Sequence, residues 1–418
     1  MLSKPSSGNS TATPAQRHKH IGFVEFLILV ALMMACQALA IDAMLPALPM
    51  IAQAMGVTDQ NRIQWVVTAY IAGMGIGQLF WGMLSDRLGR RRVLLIGLGL
   101  YVLAALLSGL SQSFAGLLVW RFVHGASAAS AVVARSVIRD LYEGRQMARV
   151  MSLTFIVFIM VPVLAPTIGQ VVLIVAPWRY LFVLFSVFAA AIWVWVLLRL
   201  PETLHPEYRL KLSVKHIAHA AGVVLGDRAS VCYTMALTMV FSIFITYVGM
   251  VQQIFADVFH RASLMPTMFG VCAATMGVTS FVNSRIVGRL GMRIVSQSGL
   301  LMFIAISAIH LLVVLLGMES LTTFVVLQAA ATSCIGLIVA NFGTMAMEPM
   351  GSVAGIAASF QGFFSTMGAA LIGAFIGRYF NGSVLPLLAG AVGCGLVALL
   401  FVLLAERGKL FQPHHAAE

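Results

Sequence analysis

Twelve stretches of this chain are each long and apolar enough to cross a lipid bilayer, and no other feature constrains the fold as strongly. A membrane-spanning helix needs about 20 mainly apolar residues. Such runs cover roughly 22–46, 63–84, 93–111, 115–137, 149–173, 178–198, 229–252, 264–286, 294–316, 321–345, 354–379 and 384–404. Hydrophobic residues make up 60% of the chain and charged residues 10%, against about 25% charged in a soluble domain. No water-soluble core hides that much apolar surface. Within lipid every backbone polar group must be satisfied internally, so only helices and closed barrels span the membrane. The run VLLIGLGLYVLAALLSGL, residues 93–110, lacks the two-residue alternation of a barrel strand. The expected fold is therefore an all-α integral membrane protein.

Charge placement sets the topology. With a cytoplasmic N-terminus and twelve alternating spans, 20 of the 26 lysines and arginines fall on the cytoplasmic side. Arg62, Arg179, Arg261 and Arg378 fall outside, and Arg121 and Arg135 lie within a span. That is the positive-inside pattern. It puts both termini in the cytoplasm and accounts for most of the net charge of +12 without nucleic acid. The first apolar run has no small-residue cleavage site and reads as a span, not a removed signal peptide.

The longest polar break is the segment from 201 to 228, with six spans before it and six after. The expected organisation is a disordered cytoplasmic tail (1–21), a six-helix bundle (22–200), a cytoplasmic linker (201–228), a second six-helix bundle (229–404) and a cytoplasmic tail (405–418). SDRLGRRR after the second span and VGRLGMRI after the eighth share Arg-Leu-Gly-x-Arg at an offset of 202 residues. Matching loops at equivalent places suggest parallel repeats with a substrate site between the halves.

Two acids need a reason for being there. Asp86 sits among Arg87, Arg90, Arg91 and Arg92, where it does nothing for topology. Its candidate partners are a helix N-terminus, which favours a carboxylate, or an arginine of the 139–149 loop. Gly82 allows close helix approach, and Gly89 a turn with positive φ. Asp42 lies in an otherwise apolar span, where an ionisable residue is a functional-site hypothesis by default, suited to reversible protonation. Counting 1.5 Å per residue from each span's centre places Asp42 about 12 Å outward and Arg121 about 8 Å outward, at depths that allow coupling directly or through water.

These residues carry a resemblance. GMLSDRLGRRRVL, residues 82–94, resembles the signature loop between the second and third helices of the major facilitator superfamily. WRFVHGASAA (120–129) resembles its fourth-helix arginine motif, LAPTIG (164–169) the fifth-helix proline–glycine motif of its antiporters, and AIDAMLPALP (40–49) the end of the first helix in drug–proton antiporters. LPETL at 200–204 also falls where that group has it. The set is most similar to the bicyclomycin and chloramphenicol resistance branch. The resemblance implies twelve helices in two pseudo-symmetric bundles. It implies a cytoplasmic latch in which Asp86 meets the start of the eleventh helix, near Gly351 to Gly355, while Arg90 pairs with Asp140. Gly82, Arg87 and Gly89 complete that loop. It also implies proton coupling at Asp42 with Arg121, and packing between the halves through Pro162, Pro166 and Gly169. Gln170 replaces the second glycine of the usual pair.

The implied function is drug:proton antiport across a bacterial inner membrane by a multi-pass monomer. The proton gradient drives it without a cofactor, and the cargo is a neutral or weakly cationic amphiphile such as an amphenicol-type antibiotic. A proton-coupled symporter or facilitator importing a metabolite is the alternative on the same fold. Tyr70, Gln78, Phe155, Phe158, Asn341 and Gln361 are candidate cavity residues. No catalytic group is expected: no phosphate-cradling GxxxxGK[ST] occurs, and His124 and His310 read as isolated. No metal site is expected either. Cys36, Cys232, Cys272, Cys334 and Cys394 all fall in spans and read as small buried hydrophobes.

Overall fold

The computed structural model describes residues 21–142, 144–205, 207 and 214–411. The 1–20 and 412–418 parts of the two tails, and the middle of the linker, lie outside the described residues. The helices in chain order are α1 (Phe23–Asp42), α2 (Leu48–Ala54), α3 (Trp65–Leu88), α4 (Arg90–Leu110), α5 (Phe114–Ala126), α6 (Ser130–Leu141), α7 (Gly144–Val175) and α8 (Arg179–Arg199). They continue with α9 (Val214–Gly226), α10 (Arg228–Gln253), α11 (Met265–Leu290), α12 (Met292–Leu315), α13 (Leu321–Met347), α14 (Ala354–Gly377) and α15 (Leu385–Ala405). Among the described residues, eleven helical segments are long and apolar enough to span a bilayer. The 32-residue α7, whose Met160–Val175 part is strongly apolar, makes the twelfth. The expected two six-helix bundles are therefore present: α1, α3, α4, α5–α6, α7 and α8, then α10 to α15.

Outward-facing side chains suit lipid: Ile174, Val175, Leu198 and Leu110 are among the large apolar residues left exposed. A water-soluble surface does not carry such a belt.

Two spans are interrupted where the site lies. α1 ends at Asp42, and the chain continues as a short 3₁₀ turn, Leu45–Ala47, before α2. Pro46 and Pro49 lack backbone N–H groups, sit early in these two pieces and cannot continue the α1 ladder. The fourth span breaks at Ser127–Ala129, between α5 and α6.

The repeat read from the loops has a backbone basis. Gly89, between α3 and α4, has φ 99° and ψ 154°, and Gly291, between α11 and α12, has φ 84° and ψ 152°. Side chains with a Cβ rarely adopt that region. Two residues further on, Arg91 donates to the Leu197 carbonyl at 2.7 Å, near the end of α8. Its counterpart Arg293 pairs with Glu406 at 2.6 Å, just after α15. Each half thus ties its second loop to its own last span.

Candidate functional site

At the cytoplasmic end of α3, Arg90 is the hub. It is 2% exposed. Its guanidinium forms an ion pair with Asp86, reaches Asp140 of α6 at 2.8 Å and donates to Ser85 Oγ at 2.7 Å. A buried guanidinium is tolerated because carboxylates on two sides compensate it and its fork of donors is largely used. Asp86 also faces the start of α14: a Cβ built on Gly355 would lie 3.9 Å from Asp86 Oδ2. The carboxylate therefore sits at a helix N-terminus, where the dipole favours it. The expected partners, Arg90, Asp140 and the start of the eleventh span, are brought together.

Glu202 is a member that sequence reasoning did not pick. Its Oε1 accepts from the backbone N–H of Arg90 at 2.7 Å and of Leu204 at 3.1 Å. Its carboxylate occupies the space a side chain on Gly89 would need. Thr203 Oγ1 adds a bond to Asp140 at 3.3 Å. The available signal was an acid directly after the sixth span on an otherwise basic face. Arg87 points into solvent and has no ion pair among the described residues.

Asp42, the last residue of α1, is buried. Among the described residues its carboxyl has no hydrogen bond or ion pair. Arg121 does not pair with it. Arg121 is fully buried and donates to the Ala40 carbonyl at 3.2 Å and the Val66 carbonyl at 3.1 Å. It also lies 3.3 Å from His124 Nδ1 and 4.4 Å from the centre of the Tyr70 ring. The arginine thus holds the backbone two residues before the acid. Tyr70 joins this cluster, its hydroxyl 3.4 Å from that of Tyr101, which donates to the Cys36 carbonyl at 2.9 Å. His124, read as isolated, is part of it too, and its Nε2 is buried without a partner.

Pro162 and Pro166 lie inside an unbroken α7. Gly169 packs so tightly on the Ala43 backbone that a Cβ has no room, which seats α7 against the residue after Asp42. A Cβ on Gly270 of α11 would lie 3.2 Å from the Val163 carbonyl. The motif region therefore braces the end of α1 within its own half and receives α11 from the other.

The halves also meet along α3 and α14. Near the middle, Gln78 Nε2 donates to Thr366 Oγ1 at 3.2 Å. At the outer end Asn61 Nδ2 donates to the Arg378 and Phe380 carbonyls at 3.0 and 2.9 Å, and Gln64 donates to Gln253 Oε1 and to the Gly377 carbonyl. This outer amide cluster was not foreseen. The seam is thus closed at both ends. In the second half, Asn341 donates to Asn283 Oδ1 at 2.8 Å, and Gln361 donates to the Gly343 carbonyl at 3.1 Å. The side chains of Phe155 and Phe158 lie outside the described residues.

Two helical halves that meet along a polar seam, with an ion-pair cluster at one end and amides at the other, have the build of a membrane transporter. The chain belongs to the Major Facilitator Superfamily, whose sequence pattern matches residues 30–373. It is 29% identical over 346 residues to an uncharacterized MFS-type transporter, YdgK, of Bacillus subtilis, covering 81% of this chain and 85% of that one. It is 28% identical over 389 residues to the multidrug resistance protein MdtL of Klebsiella pneumoniae, covering 89% and 93%. It is 27% identical over 268 residues to a bicyclomycin resistance protein homolog of Haemophilus influenzae, covering 64% and 67%. The crystal structure of a D-xylose-proton symporter superposes with a TM-score of 0.69 at 13% identity, over 95% of this chain and 100% of that chain.

Proposed function

We propose that this protein is a proton-coupled exporter of small drugs in a bacterial inner membrane. The observation that carries the reading is Asp42: a carboxyl enclosed at the end of a broken span, with no ion-pair or hydrogen-bond partner among the described residues. An unpaired charge there is costly, and a group in that position lowers the cost by taking a proton. The similarity to relatives named for multidrug and bicyclomycin resistance supports a drug as cargo.

The cycle follows from competition. When the cleft opens outward, Asp42 takes a proton and the drug leaves. When it opens inward, the proton is lost and the drug binds. Arg121, tethered to Ala40 and Val66, fixes the α1 end against α3 and keeps positive charge near the acid. Gly169 on Ala43 holds α7 against the same point. Asp86, Arg90 and Asp140 form the latch that breaks in each cycle, an element with two discrete arrangements. The candidate cavity residues Gln78, Asn341 and Gln361 are neutral and polar, which suits a neutral or weakly cationic amphiphile of the amphenicol type. The proton gradient supplies the energy, no cofactor takes part, and one chain suffices.

The test is drug susceptibility in an efflux-deficient bacterium making wild type or Asp42→Asn at equal levels, with chloramphenicol, florfenicol, bicyclomycin and lipophilic cations. Wild type is expected to protect against part of the panel, and the variant against none of it. Equal protection by both overturns Asp42 as the proton site. Protection by neither turns the reading towards import.

A further inference from the structure

A second set of titratable groups lies in the other half, unused by coupling at Asp42. His310, in the last third of α12, is 1% exposed, and its Nε2 lies 3.0 Å from Glu319 Oε1 in the connection to α13. The Glu319 side chain is only 13% exposed, and its second oxygen is buried without a partner. His310 also lines a small cavity inside the second bundle, between α10, α12, α13 and α15, with Ser307, Gln328, Thr332 and Tyr247 on its walls. The Tyr247 hydroxyl is buried there, beside the Cys272 thiol of α11. The Ser307 hydroxyl and the Gln328 amide make no side-chain hydrogen bond to described residues. The other walls are apolar, Ile243, Phe303 and Leu388 among them, and Thr332 donates to the Gln328 carbonyl, so His310, Ser307 and Gln328 are the groups that would hold a water there.

We propose that His310 and Glu319 form a second proton-binding site, reached from the outer side of the membrane through Glu319 and backed by the small cavity between α10, α12, α13 and α15. α12 begins at the cytoplasmic loop and ends outside, so the pair lies on the outer side. The step is simple. A proton from outer water adds to the neutral imidazole, and the hydrogen-bonded pair becomes imidazolium and carboxylate. The charge then formed is compensated at 3.0 Å, as a buried cation requires. The groups facing His310 are few. Glu319 faces it from the α12–α13 connection. Tyr247 of α10 lies across the cavity, with the Cys272 thiol of α11 beyond it. α13 and α15 present only neutral groups there, and the Phe324 ring packs 5.7 Å from the imidazole. The inference needs proton binding alone and does not rest on the identity of any drug.

The experiment is nitrogen NMR of full-length protein in lipid nanodiscs, labelled at histidine, with pH as the variable. Ring nitrogen shifts separate neutral imidazole from imidazolium, and the His310 signal is the one missing from His310→Gln. The His310 ring is expected to pass reversibly from neutral to imidazolium within the range that keeps the protein folded. Glu319→Gln, which keeps a hydrogen-bonding oxygen and removes the charge, is expected to change that pH dependence. Asp42→Asn is expected to leave it unchanged, so loss of drug resistance in that variant does not bear on this site. If His310 stays neutral throughout that range, or if its signal ignores Glu319→Gln, the pair is a structural tie and the proposal is overturned.

Discussion

Asp86→Asn tests the latch most directly. In the closed arrangement Asp86 holds an ion pair with Arg90 and faces the N-terminus of α14. Asparagine keeps the shape and removes the charge. A hydrogen bond to a charged group contributes about 1.5–3 kcal/mol, and a carboxylate at a helix N-terminus about 0.3–1 kcal/mol. The Asp86 side chain is 23% exposed, so solvent screens part of this and the lower end applies, roughly 2 kcal/mol. Arg90 keeps Asp140, so it is not stranded. A loss of that size raises the ratio of inward-open to closed protein about 30-fold. The assay is pulsed electron paramagnetic resonance between spin labels at Arg92→Cys and Arg289→Cys, two exposed cytoplasmic sites on opposite halves, in a background whose native cysteines are serine. The long-distance population should grow in Asp86→Asn. An unchanged distance distribution refutes the assignment of Asp86 as a closing group.

Two further outcomes follow from the geometry. Gly89→Ala forces a Cβ into positive φ and against Glu202, at a cost of about 1–3 kcal/mol. Thermal unfolding read by a thiol-reactive dye, which reports exposure of the mostly buried cysteines, should shift to lower temperature. An equal alanine change at Gly343, where a Cβ meets nothing within 4 Å, should shift it far less. Gln64→Ala removes two neutral hydrogen bonds across the outer seam, roughly 1–2 kcal/mol together. Labels at Gln53→Cys and Asn381→Cys should report about a tenfold gain in outward-open protein, and no gain would mean that the amide cluster does not hold the outer end shut.

The comparison of expectation with structure divides by kind of interaction. The spans were legible because hydrophobicity acts residue by residue along the chain. The repeat was legible because one backbone conformation, positive φ at Gly89 and Gly291, demands glycine twice. The meeting of Asp86 with Arg90 and the start of α14 was legible only through the resemblance; spacing alone left Asp86 with several possible partners. The linker held more than a polar break: α9 buries Val224 against Met350, Val353 and Ile356 beside the start of α14.

What the sequence by itself determined is a polytopic helical membrane protein with a charged cytoplasmic loop and one acid set in its first span. Which groups meet was decided by the tertiary structure. Depth counting put Arg121 level with Asp42, yet the guanidinium turns to the Ala40 and Val66 carbonyls. His310 and Glu319 are paired, although the histidine reads as isolated in the sequence. The physical reason is the solvent. A helix in lipid is apolar all round, so its sequence carries little of the periodicity that tells which face is buried. Azimuth is settled only when helices pack, and hydrogen-bond partners follow azimuth.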